Sequence, residues 1–481
     1  MITMTLAEIA TATGGRVAPE HASVEVSGPA TVDSREVPAS GLFVAVAGAR
    51  ADGHEFAAPA VAAGAAAALV SRPVDVAHVL VDDVVEALAR LARLVVDRLV
   101  ADHRLTVVGL TGSSGKTSTK DLLAQLLEPA GPTVAPVGSF NNELGVPLTA
   151  LRADRSTRFL VVEMGARGTG HISALCAVTP PRMGVVLNVG SAHAGEFGGR
   201  AATAHAKAEL VRALPPAAEG GVAVLNADDP LVAAMAEQTT ARVVWTGCAP
   251  SADIRAAGVR LDPAACPTYD LHTPGDEPVQ VHLPLPGAHH VPNSLAAAAV
   301  ALECGRSPAE IADSLRRARP RSRWRMEVTE RADGLTVVND AYNANPESVL
   351  AALEALVAMA GGRRTWAVLG EMLELGAAST AEHERVGRLA RGLGVDRLVV
   401  VGDGARAVHT GALDDGALDG EGSVHVPDVA AALALLRPAL GPEDVVLIKA
   451  SRSAGLETVA AGLLATSPDV ARGMAVPGEG S

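Results

Sequence analysis

The sequence predicts an α/β protein of three domains, and two observations carry that prediction. Across the 481 residues, short apolar runs rich in β-branched residues alternate with alanine-rich stretches of helical length. That order is expected of parallel strands joined by crossover helices and covered on both faces. A chain this long also has room for about three domains of ~150 residues, each with a sizeable core. Hydrophobic residues make up 48% and charged residues 20%, and the mean hydropathy is +0.25. This balance fits a folded soluble chain rather than a disordered one.

Taken in order, residues 1–103 hold apolar runs such as Leu42 to Ala47 (LFVAVA), punctuated by Gly41 and Gly48, and end in a helical stretch from Val84 to Val100. They read as a small N-terminal α/β domain. The next region, 104–318, carries TVVGL (106–110), FLVVEMG (159–165), MGVVLNVG (183–190) and GVAVLN (221–226) between helical segments. It reads as a parallel-sheet domain. A proline- and arginine-rich stretch, Arg316 to Arg325 (RRARPRSRWR), then breaks the pattern, as a domain link or as a solvated basic turn. In 319–481 the alternation resumes with LTVVND (335–340), TWAVLGEM (365–372), RLVVVGD (397–403) and DVVLIKAS (444–451). A doubly wound, Rossmann-like C-terminal domain is expected. From about Ser467 the residues lose all periodicity, and a frayed tail is expected.

Composition excludes several classes of function. The longest apolar stretch, Ala57 to Val70, contains Pro59 and Gly64 and falls short of the ~20 residues a membrane span needs. The N-terminus lacks the basic and apolar regions of a secretory signal, so a cytoplasmic location is expected. A formal net charge of -14 repels nucleic acid and anionic lipid. An anionic ligand therefore needs a local device: a helix N-terminus, a few cations or a metal. Cys176, Cys248, Cys266 and Cys304 show no C-x-x-C spacing and read as reduced, buried residues. The 40 basic residues include only four lysines, Lys116, Lys120, Lys207 and Lys449, and asparagine occurs eight times. In such a background, a lysine or asparagine marks a position where Arg, Asp or Ser cannot replace its chemistry.

The sharpest motif is TVVGLTGSSGKTSTK (106–120), an apolar strand running into a Gly-rich turn and a helix. Gly112 and Gly115 permit the tight turn, backbone N–H groups and the helix dipole face phosphates, Lys116 reaches the terminal phosphates, and the Thr117 hydroxyl suits Mg2+. Leu110 stands where the longer Walker pattern has its first glycine, so the form here is the shorter G-x-x-G-K-T. This makes the central domain P-loop ATPase-like. Glu163 ends a predicted strand on the side where open α/β sheets bind ligands, and a carboxylate there suits Mg2+ or an ordinary exposed helix start. LNVGSAHAGEFG (187–198) ends another strand with Asn188 and His193, and Lys207 follows in an alanine-rich helix. Two asparagine-rich segments remain, GSFNNELGVP (138–147) and NDAYNANPES (339–348). The second follows a strand directly and reads as a binding loop or a plain turn.

These motifs together resemble the Mur ligases, ATP-dependent amide-bond formers of peptidoglycan synthesis. The resemblance runs in order through TVDSREVPASGLFVAVAGARADGHEF (31–56), TGSSGKTSTK (111–120), GSFNNELGVPLT (138–149), VVEMG (161–165), LNVGSAH (187–193), AKAEL (206–210), NADDP (226–230), GAHHVPNSLAA (287–297), RMEV (325–328), NDAYNANPES (339–348), VLGEMLELG (368–376) and LIKASRSAGLE (447–457). Ala450 stands where the family often has glycine. Among the members, the residues are most similar to those of the ligase that adds D-alanyl-D-alanine to a UDP-N-acetylmuramoyl tripeptide. The sister ligase that adds a single third amino acid shares the DSR segment and P-loop, but its DNPR-like signature is not found. Folylpoly-γ-glutamate synthase lacks the N-terminal domain, and a non-catalytic nucleotide-binding partner is disfavoured by the intact Lys116, Glu163 and Lys207.

The resemblance implies roles residue by residue. Thr111, Gly112, Ser113, Ser114, Gly115, Lys116 and Thr117 would hold the ATP phosphates. Thr117 and Glu163 would hold one Mg2+, and His193 and a carbamylated Lys207 a second, with Lys116, Lys207 and His193 serving catalysis. Asn293 would contact adenine, and Arg325 and Asp340 the phosphate and ribose. Ser34 and Arg35 would grip the UDP-sugar, Asn141 and Asn142 the muramoyl part, while Tyr342, Asn343 and Asn345 border nucleotide and dipeptide. No nucleic acid and no membrane insertion are expected, and the chain is expected to act as a monomer.

Overall fold

Side chains that alternate between two apolar cores explain why the short apolar runs become buried strands. In strand Thr106–Thr111, Val107 packs into one core and Val108 and Leu110 into another, on opposite faces of one sheet. Each such Leu or Val removed from water contributes roughly 1.5–3 kcal/mol. A computed structural model of the chain describes residues 1–48, 51–103, 105–190, 199–413 and 422–465. His193, and the tail expected after about 467, lie outside the described residues.

Three α/β domains follow one another. In the first, the parallel strands Ala30–Thr31, Leu42–Val44, Ala67–Val70 and His78–Leu80 form a sheet that Arg16–Val17 extends antiparallel. Helix Val84–His103 outruns the predicted stretch by three residues, and its apolar face shares one core with the central sheet. The central sheet has nine strands. Thr106–Thr111 lies between Phe159–Glu163 and Met183–Val186, and Thr133–Val134, Val222–Asn226 and Arg242–Gly247 continue it in parallel. Its far side was not legible in the sequence. There Ile254–Leu261, Pro267–His272 and Val279–His282 add an antiparallel ribbon whose Tyr269, Leu271 and Val281 face the core.

The third sheet orders its parallel strands Thr336–Asn339, Asp444–Lys449, Arg364–Leu369, Arg397–Val401 and Ser423–Val426, with Glu327–Glu330 antiparallel at one edge. Helices cover both faces, as two separate cores show. Ala450, just past strand Asp444–Lys449, is fully buried and is not among the positive-φ residues, so the turn there does not require glycine. Residues 317–326 join helix Pro308–Arg316 to the third sheet and dock on the P-loop helix, with Ser322 buried and Arg321 paired to Glu128. The stretch from Arg316 to Arg325 links the two domains, while its Arg316, Arg317, Arg319, Arg321 and Arg323 stay exposed to solvent. All four cysteines are free, but only Cys176 and Cys266 are buried, which corrects the expectation that all four would be. Burial pushes the Cys176 thiol up to about 12. Among the described residues no helix is long and apolar enough to cross a membrane.

Candidate functional site

The carboxyl ends of the central strands and those of the third sheet face one cleft of about 870 Å³. Strand Thr106–Thr111 delivers the Gly-rich turn there and helix Lys116–Leu127 leaves it. Thr111 Oγ1 donates to the Met164 carbonyl at 2.8 Å, tying this strand to its neighbour. Asn188 grips the turn itself: its Oδ1 accepts the Ser113 and Ser114 N–H groups, both at 3.0 Å, and its Nδ2 donates to Ser114 O at 3.2 Å. Ser113 Oγ in turn accepts the Gly190 N–H at 2.9 Å.

Gly115 has φ +79, and a Cβ there would meet Asn293 Oδ1 at 2.4 Å. Backbone strain and a blocked space thus select glycine twice over. Gly115→Ala is expected to destabilise by about 1–3 kcal/mol and to weaken nucleotide binding, read by melting temperature and by nucleotide titration. A variant that melts and binds like the wild type would contradict this geometry.

The helix that starts at Lys116 has no side-chain cap, so its first N–H groups point into the cleft, where an anion fits. Lys116 Nζ folds back over the loop to Gly112 O at 2.7 Å. Burial lowers its pKa, and Glu163 opposes that shift. Thr117 Oγ1 donates to Glu163 Oε2 at 3.1 Å, and Asn141 Nδ2 donates to Oε1 at 2.8 Å. A buried hydroxyl–carboxylate pair beside a phosphate cradle fits Mg2+, which binds one or two protein carboxylates and takes its other oxygens from water and phosphate. No three His, Cys, Asp or Glu side chains converge among the described residues, and such a site does not need them. Lys207, buried in helix Arg200–Arg212, has its pKa lowered well below the usual value, first by burial and then by Lys116.

From the third domain, Arg325 NH2 reaches Thr117 Oγ1 at 3.2 Å. It is presented between Trp324 and Met326, both left-handed at φ +58 and +48. Its guanidinium lies 4.2 Å from the centre of the Tyr342 ring, while its buried Nε has no partner among the described residues and could donate to an anionic oxygen. Tyr342 Oη lies within hydrogen-bond distance of Ser139 Oγ. Asn345 caps helix Pro346–Ala360 and donates to Ser113 O at 3.4 Å, bridging the P-loop to the third domain.

The structure brings most of the expected residues to this cleft: Ser113 to Thr117, Asn141, Asn142, Glu163, Arg325, Tyr342, Asn343 and Asn345 all line it. Thr111, Gly112, Lys207, Asn293 and Asp340 stand behind its wall. Asp340 has both oxygens engaged, Oδ2 by Lys449 Nζ at 2.6 Å and Oδ1 by the Met326 N–H at 3.1 Å. Burial lowers the Lys449 pKa, against the pull of Asp340. Ser34 and Arg35 are not on the cleft, and Arg35 pairs with Asp33 at the surface. Two contributors carried no assigned role at the sequence level. Asn188 was visible as a strand-end asparagine in LNVGSAH, and Arg452, which lines the cleft and lies 4.3 Å from the centre of the Trp324 ring, only as part of LIKASRSAGLE.

Comparison with known proteins agrees with this geometry. Residues 30–108 match the Mur ligase family, catalytic domain; residues 110–301 match the Mur ligase middle domain; and residues 324–452 match the Mur ligase, glutamate ligase domain. A protein of Mycobacterium tuberculosis (strain ATCC 25618 / H37Rv), named UDP-N-acetylmuramoyl-tripeptide–D-alanyl-D-alanine ligase, is 51% identical over 97% of this chain and 98% of its own. A crystal structure of MurF from Acinetobacter baumannii superposes with a TM-score of 0.84 at 32% identity, covering 96% of this chain and 99% of that one. MurF ligase from Thermotoga maritima in complex with ADP gives a TM-score of 0.76 at 29% identity over 91% of this chain and 97% of that one.

Proposed function

This chain belongs to the Mur ligase family, and on that premise we propose that it joins D-alanyl-D-alanine to UDP-N-acetylmuramoyl tripeptide with ATP. The observation that carries the reading is the contact between domains at Thr117. There the P-loop, the Glu163 carboxylate and Arg325 meet at one hydroxyl on the wall of the cleft. A carboxylate is a poor electrophile until one oxygen becomes a phosphate leaving group. The tripeptide carboxylate attacks the γ-phosphorus of ATP, ADP leaves, and the amine of D-alanyl-D-alanine adds to the acyl phosphate. The tetrahedral adduct then loses phosphate, and the amine proton passes to solvent or a base. Mg2+, held by Thr117 and Glu163, supplies charge screening of the transferring phosphoryl group. Lys116 and Arg325 place two further cations around the same phosphate.

Residues 1–103 serve the UDP-sugar through Ser34 and Arg35, residues 104–318 serve ATP, and residues 319–481 close the ligase site. Thr111 and Gly112 to Ser114 shape the phosphate loop, Asn141 and Asn142 meet the muramoyl part, and Tyr342, Asn343 and Asn345 lie between nucleotide and dipeptide. Asn293 supports adenine from behind Gly115. For Asp340 to reach the ribose, its carboxylate would accept a hydroxyl beside its present partners, Lys449 and the Met326 N–H. His193 and Lys207 serve a second Mg2+, with Lys207 as its carbamate. ATP and UDP-linked precursors are cytoplasmic, which supports action in that compartment, and the proposed working unit is the monomer.

Phosphate release tests the assignment. With ATP and UDP-muramoyl tripeptide, release is expected to require D-alanyl-D-alanine and to fail with diaminopimelate or glutamate. A preference for a single amino acid would move the chain to the sister activity.

A further inference from the structure

Lys120 lies one helical turn after Lys116 and is buried, well away from solvent phosphates. An ammonium has three N–H groups in a compact tetrahedral array. Here Nζ donates to Pro136 O at 3.0 Å and to Ser322 Oγ at 3.2 Å, and forms an ion pair with Asp121 Oδ1 at 2.6 Å. The second Asp121 oxygen accepts the Ser322 N–H at 2.9 Å, so both members of the buried ion pair are also hydrogen-bonded to the Ser322 turn. These partners come from three segments: the P-loop helix, the loop that leads to Ser139 and Asn141, and the connection between domains. Ser322 stands three residues before Arg325. Arg325 stacks on Tyr342, and Tyr342 meets Ser139, three residues after Pro136, so the contacts close into a ring. Outside the ring, Gln125 and Arg319 exchange two hydrogen bonds at 3.0 and 3.1 Å.

We propose that Lys120 is a positioning residue that holds the Ser322 turn on the P-loop helix and thereby aims Arg325 at the transferring phosphate. The proposal rests on the assignment of Arg325 as a phosphate contact. Lys120 touches no wall of the cleft itself and acts through Arg325. Arginine cannot substitute, because a planar guanidinium does not present three donors to acceptors on three sides. That accounts for one of the four lysines in a chain whose other cations are arginines.

The test measures turnover and nucleotide affinity for Lys120→Met, Lys120→Arg and Ser322→Ala, each also combined with Arg325→Ala. A misaimed cation is expected to lower kcat by roughly 10- to 100-fold in both Lys120 variants, while ADP affinity at the intact P-loop stays within about twofold. Ser322→Ala, which loses a single hydrogen bond, is expected to fall less and to keep its melting temperature, so it carries the test should a Lys120 variant fold poorly. In the Arg325→Ala background each loss should largely vanish, since the group being aimed is gone. Full turnover in Lys120→Arg, or losses that remain undiminished on Arg325→Ala, would overturn the role of Lys120 alone. Wild-type turnover in Arg325→Ala by itself would overturn the phosphate assignment of Arg325, and the proposal with it.

Discussion

Lys116→Ala is expected to abolish ligation and to leave the fold in place. Lys116 spans the Gly-rich turn to Gly112 O, a single hydrogen bond, so little of the folded structure is expected to depend on it. The transferring phosphoryl group depends on it heavily. Its charge grows in a buried setting, and losing one aimed cation there costs about 10³-fold or more in rate. Asn188 and Thr111 hold the turn through other atoms, and the melting curve is expected to match the wild type. Phosphate release and thermal unfolding, measured on the same preparation, check both halves. Near-normal turnover with an unchanged melting curve would remove the P-loop lysine from the reaction.

Lys207→Ala is expected to lose about 10²- to 10³-fold in activity and to regain part of it with added acetate. The side chain is buried, and its pKa is lowered well below the usual value by burial and by Lys116. A depressed lysine pKa means that the neutral amine is populated as pH rises through the folded value, and only the neutral amine takes up CO2. On the proposed reading, carbamylation would turn a cation that repels Mg2+ into an anion that could bind it. Arginine, protonated at any relevant pH, could not do this. The wild-type enzyme should lose activity in CO2-depleted buffer. Full activity there, together with no rescue of Lys207→Ala by short carboxylates, would make Lys207 an ordinary buried cation.

What the sequence determined by itself is what is local. Eight parallel strands of the central and third domains were legible because burial on both faces makes them apolar runs of four to six residues, whereas the parallel strands Thr133–Val134, Arg242–Gly247 and Ser423–Val426 were not. The P-loop was legible because its whole device, strand end, two glycines, lysine and hydroxyl, fits within a few successive residues. The antiparallel ribbon from Ile254 to His282 was not, because only one of its faces is buried and its alternation is short and broken by a bulge. The partners of the site residues were not legible either. Asn188 holds Ser113 across 75 residues, Lys449 takes the Asp340 carboxylate across 109, and Arg325 reaches Thr117 across 208. Such contacts leave no spacing in the chain, because a hydrogen bond depends on where two atoms lie after three domains have packed. The sequence therefore named the chemistry, while the packed domains decided which side chains face the cleft and which, like Asp340 and Asn293, stand behind it.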